Sequence, residues 1–139
     1  MFVLSIIVAS ILSVISLIHF YWAFGGLYGI HSAAPRLRGE GDFSPPKILT
    51  FIIACLIGGL SVLAVLLEVT ESPMRETLSY IGYVTALVFI IRSIGDFKYV
   101  GFFKRIYNSK FAKKDTIYFS PLCLLLGCAF FVLSIYTPY

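Results

Sequence analysis

Four long apolar runs alternate with three polar connections along almost the whole chain: Phe2–Phe24, Ile48–Leu67, Leu78–Ile94 and Ile117–Tyr136. A hydrocarbon core about 30 Å thick is crossed by roughly 20 apolar residues of helix. Lipid offers the backbone no hydrogen-bond partner, so each run is expected to be a helix that satisfies its own amides. The pattern predicts an all-α integral membrane protein. One four-transmembrane-helix bundle fills residues 1–139, with spans near 2–24, 46–67, 73–94 and 121–137.

Three of the helices carry the same start signal. Ser44-Pro45, Ser72-Pro73 and Ser120-Pro121 each place a hydroxyl at N-cap and a proline at N1, where the missing N–H costs nothing. Gly95 is expected to end the third span as its C′ residue. Within the third connection, Val100, Phe103, Ile106, Tyr107 and Phe111 fall at helical spacing, with Lys104, Arg105, Asn108 and Ser109 between them. This predicts a basic amphipathic interfacial helix between spans three and four, lying against headgroups. The plainer reading of the stretch is a solvated loop that only enforces topology.

Composition narrows the class. The chain is 59% hydrophobic with a mean hydropathy of +0.93. Its charged fraction of 13% is about half the globular norm of roughly 25%, so a separate soluble domain has no room. The first run has no Lys or Arg before it and is too long for the apolar core of a signal peptide, so it reads as an uncleaved span. The net charge of +4 belongs to residues beside the spans. It implies contact with anionic headgroups of the lipid bilayer and no nucleic-acid partner.

Basic residues set the orientation. Arg36, Arg38 and Lys47 flank the first connection; Lys98, Lys104, Arg105, Lys110, Lys113 and Lys114 fill the third. The second has only Arg75 against Glu68, Glu71 and Glu76. The first and third connections are therefore expected to be cytoplasmic, with both N- and C-termini outside. The six basic residues of the third connection are the expected membrane-surface contacts.

Each span also carries small residues through which helices approach closely in lipid. They are Ser5, Ala9, Ser13 and Ser16 in the first, Ala54, Gly58 and Ser61 in the second. The third has Ser79, Gly82 and Ala86; the fourth has Ser120, Cys123, Gly127 and Ser134. Cys123 and Cys128 lie roughly 140° apart on one helix, so neither pairs with the other. With Cys55 they read as packing residues.

Candidate chemistry gathers at one end. His19 is the sole ionisable side chain of span one, continuing the Ser13–Ser16 face, with Trp22 at i+3. Imidazole titrates near neutral pH, yet an interhelical hydrogen bond or a place in an aromatic belt is the plainer role. Arg92 stands inside span three, where a guanidinium is costly unless it is paired or snorkels. Asp96, four residues on, is within reach of it if the helix continues. Tyr118 and Ser120 enter span four from the same side, beside helix N–H groups suited to an anion. The Gly25-Gly26 pair and Gly29 read as a bend leaving span one. No metal ligand set, cofactor motif, phosphate loop or nucleophile elbow is present in the sequence.

The segments His19-Phe20-Tyr21-Trp22-Ala23-Phe24-Gly25-Gly26, Arg92-x-x-Gly95-Asp96 and Tyr118-x-Ser120-Pro121-Leu122-Cys123 carry a resemblance. Over essentially its full length the chain resembles a bacterial family of small four-span membrane proteins catalogued as a domain of unknown function. The resemblance implies a four-span fold and a bacterial cytoplasmic membrane, and no reaction.

Three functions fit these residues. One is a non-enzymatic pocket, formed by His19, Trp22, Arg92, Asp96, Tyr118 and Ser120, for an anionic amphiphile, a lipid headgroup or a partner helix. A second is a small membrane enzyme with His19 as acid/base and Arg92 as electrostatic stabiliser. A third is a dimeric transporter. A homo-oligomer or a membrane-protein partner is compatible with each.

Overall fold

The computed structural model describes residues 1–30, 46–71, 73–95, 101–105 and 110–136. Helix α1 (Phe2–Ala23), α2 (Lys47–Val69) and α3 (Met74–Ile94) are each long and apolar enough to cross a membrane. The fourth span, Phe111–Ile135, combines a short α4 (Lys110–Lys114), a π-helical turn (Asp115–Phe119) and α5 (Ser120–Ile135). The described residues form no strand.

Two helix pairs make up the bundle: α1 packs closely on α2 and α3 on α5, and the two pairs meet less extensively. In the first pair the small residues also hydrogen-bond. Ser16 Oγ donates to Ala54 O at 2.7 Å, Ser61 Oγ donates to Ala9 O at 2.8 Å, and Ser13 and Ser61 hydroxyls lie 2.8 Å apart. In the second pair Gly82 abuts Ser134, and a Cβ on Gly127 would lie 3.1 Å from Ala86 O. The small-residue stripes are therefore the helix–helix seams. Leu12, Leu63, Leu67, Leu126, Phe130 and Leu133 close the core between the pairs. Outward residues such as Val3, Leu17, Ile48, Val88 and Leu125 are apolar and exposed, as a lipid-facing surface requires.

The fourth span departs from the expected start at residue 121. Pro121 provides no N–H, and its ring crowds the carbonyl four residues back, so a regular α-helix cannot run through it. The chain widens by one residue instead, with the Ser120 N–H bonding the Asp115 carbonyl five positions back. Such a bulge lets the helix continue. Ser120 is thus a fully buried residue inside the span, not its N-cap, and its hydroxyl has no hydrogen-bond partner. Ser44, Pro45 and Ser72 lie outside the described residues; Pro46 and Pro73 stand at the N-caps of α2 and α3.

Residues 101–105 form turns, so no single amphipathic helix runs from Tyr99 to Phe111. The reason is glycine chemistry. Gly95 ends α3 at φ 86°, and Gly101 follows at φ 91°, a region side-chain-bearing residues rarely adopt. A Cβ on Gly101 would overlap the Ile94 carbonyl. The chain therefore doubles back on the end of α3, where Phe102 N–H donates to Ser93 O at 2.9 Å.

Candidate functional site

The returning turn exists at the same end as the fully buried carboxylate of Asp115. Oδ1 accepts from Arg92 Nη2 at 3.1 Å. Oδ2 accepts from Lys104 Nζ at 2.9 Å and from the Gly101 N–H at 2.7 Å. Lys104 is also fully buried, and its ammonium reaches Gly101 O at 3.0 Å and Thr116 Oγ1 at 2.6 Å. Its three N–H donors thus meet three acceptors, one of them charged. That satisfaction is what allows a lysine to sit in so apolar a place. Among the described residues, two cations against one carboxylate give these three groups a formal +1.

Arg92 is half-buried and links this cluster to a cavity of about 330 Å³ between the helix pairs. Its Nη1 is buried and has no hydrogen-bond partner. Leu12, Ile15 and Ile18 of α1, Ile57 of α2, Phe89 of α3 and Leu122 and Leu126 of α5 supply apolar walls. Phe119 of the π turn and Cys123 complete them. His19 and Trp22 line the same cavity, with ring centroids 5.2 Å apart in an edge contact. His19 Nδ1 lies 2.8 Å from Ile15 O. A carbonyl only accepts, so Nδ1 carries the proton in this bond. Trp22 Nε1 donates to Tyr28 O at 2.9 Å, pinning the bend at Gly25 and Gly29 to the end of α1.

Of the residues singled out in the sequence, His19, Trp22 and Arg92 line this one cavity. Tyr118 is not with them: it is 63% exposed on the outer surface, and its neighbour Phe119 faces the cavity instead. The bulge before Pro121 rotates the helix face and accounts for the exchange. Ser120 is buried but does not line the cavity. Asp96 and Lys98 lie outside the described residues; among the described residues the carboxylate that meets Arg92 is Asp115.

Among the surface lysines and arginines, Lys104 is a correction. It is an internal ion-pair partner rather than a headgroup contact, because the Gly101 turn directs it inward. Arg105, Lys113 and Lys114 are exposed, and Lys110 is described in its backbone alone. Asp115 was the residue sequence reasoning missed. Its signal was present: it is the lone acid between Asp96 and the C-terminus, set at the mouth of an apolar run. Arg75, read as part of a polar connection, is buried at the opposite end.

Four apolar helices, seamed by small residues and bearing an ion-paired polar end, define a small multi-pass membrane protein. The chain belongs to the family described as protein of unknown function DUF3995, whose model matches residues 12–130. Comparison with curated proteins and with solved structures gave no match.

Proposed function

We propose that the protein binds an anionic amphiphile in the cleft between its helix pairs, without catalysis. Arg92, a residue of the cavity wall whose buried Nη1 has no hydrogen-bond partner, is the observation that carries this reading. The formal +1 of the Arg92–Asp115–Lys104 cluster favours a ligand with one negative charge. The apolar walls suit a hydrocarbon chain. A volume of about 330 Å³ lies at the low end of ligand pockets, roughly 300–1,000 Å³, so a headgroup and the first part of a chain fit. His19 Nε2 accepts a hydrogen bond from a headgroup hydroxyl, and Trp22 walls the headgroup. In this reading the membrane is the bacterial cytoplasmic membrane, with the basic end facing the cytoplasm and the termini outside.

Trp22 is the sole tryptophan and reports on the cleft directly. Titration of the detergent-solubilised protein with brominated single-chain lipids is expected to quench its fluorescence saturably. An anionic headgroup should quench at lower concentration than a zwitterionic one, and Arg92→Gln should remove the difference. Equal quenching by both headgroups in the wild-type protein would sink the proposal.

The enzymatic reading draws on one observation, the imidazole oriented by Ile15 O through Nδ1 on the wall of the cavity. It requires that His19→Gln abolish turnover of a lipid substrate while Trp22 still reports binding. Loss of binding alone would favour the non-enzymatic reading.

A further inference from the structure

Arg75, in the first turn of α3, is 6% exposed. Its Nη2 donates to Leu133 O at 2.8 Å and also to Tyr136 O. These bonds hold the last turn of α5 and place positive charge at the negative end of its dipole. They engage one nitrogen only. Nε and Nη1 are buried and have no hydrogen-bond partner. No carboxylate among the described residues lies within 4.0 Å of the guanidinium. A buried cation without a counter-ion is strongly disfavoured, and the two carbonyls supply only partial charge.

Arg75 lines a cavity of about 340 Å³ shared with Ser79, Tyr80, Tyr83 and Ser134. Hydroxyls of Ser79, Tyr80 and Tyr83 are donors of the kind an oxyanion accepts from. Ser134 donates to Phe130 O at 2.7 Å and leaves only acceptor capacity. Glu76, exposed, stands on the same cavity. Its charge disfavours a dianion and leaves a singly charged group as the better match. We propose that this cavity is a second, independent anion site that takes a singly charged phosphate group through Arg75. That chemistry is offered by a lipid phosphodiester or by free dihydrogen phosphate. Arg75 and Arg92 are 17 residues apart on one helix, about 26 Å along its axis, so this site does not rest on the cleft beside His19.

The test is a titration of the full chain in neutral maltoside detergent, following the assigned Nε–H resonance of Arg75. One arm adds sodium phosphate near pH 6; the other adds dihexanoylphosphatidylglycerol below its micelle concentration; sodium chloride at matched ionic strength is the control. A saturable shift is expected in at least one arm. A shift with phosphate identifies a free anion, and a shift with the lipid alone identifies a headgroup. If neither arm moves the resonance beyond chloride, the proposal is overturned. Ser79→Leu fills the cavity without touching the bonds to Leu133 and Tyr136, and should abolish the shift. A saturable shift that survives this substitution also overturns it.

Discussion

Asp115 and Lys104 are the residues whose chemistry is most exposed to test. Removing one partner of a buried ion pair leaves the other charge uncompensated, at a cost of about 3–5 kcal/mol. Asp115→Asn is therefore expected to lower unfolding stability by about that amount, measured by titration with a denaturing detergent. Replacing both members, as in Asp115→Leu with Lys104→Met, should recover part of the loss, because the fully buried lysine no longer stands alone, while the half-buried Arg92 still loses its carboxylate. An Asp115→Asn protein as stable as the wild type would mean that the buried pair contributes nothing to holding the turn. At this scale the sequence was partly legible. His19, Trp22 and Arg92 stood out because ionisable and amphipathic side chains are conspicuous inside apolar runs. Asp115 did not, since its burial depends on the Gly101 turn and on a helix that begins eleven residues before Pro121.

At the scale of elements, the spans were legible from hydropathy and the seams from small residues. The start of the fourth span was not. A Ser-Pro pair has one meaning at a helix start and another inside a helix, and the neighbouring π turn, which separates the two cases, leaves no mark on composition. The interfacial helix failed for a related reason: its apolar spacing was helical, but Gly101 at φ 91° broke the backbone. The seams support a graded prediction. Interhelical hydrogen bonds in membranes average about 0.6 kcal/mol, so Ser16→Ala should destabilise the protein only slightly. Gly82→Leu forces bulk against Ser134 and Leu67, and overpacking of this kind costs about 1–3 kcal/mol or more. Detergent-unfolding curves that rank these two variants in the opposite order would contradict the seam between α3 and α5.

For the whole molecule, the two helix pairs and the cleft between them define what the protein presents to its membrane. The proposed topology puts the Asp115 cluster on the cytoplasmic side. In a background with all three cysteines replaced by alanine, Glu71→Cys in intact cells should react with a membrane-impermeant maleimide. Lys113→Cys should react only after lysis, and the reverse pattern would invert the topology. The occupant of the cleft could not be read from the sequence. It depends on which groups remain unpartnered once Asp115 has taken Lys104 and one nitrogen of Arg92.

The most direct test of the binding claim is native mass spectrometry of the full chain released from mild neutral detergent. The wild-type protein is expected to carry one anionic amphiphile per chain. Arg92→Gln should reduce its occupancy about tenfold or more, since a hydrogen bond to a charged group contributes about 1.5–3 kcal/mol. A wild-type protein that retains no anionic amphiphile, or an Arg92→Gln protein that retains it equally, would contradict the account.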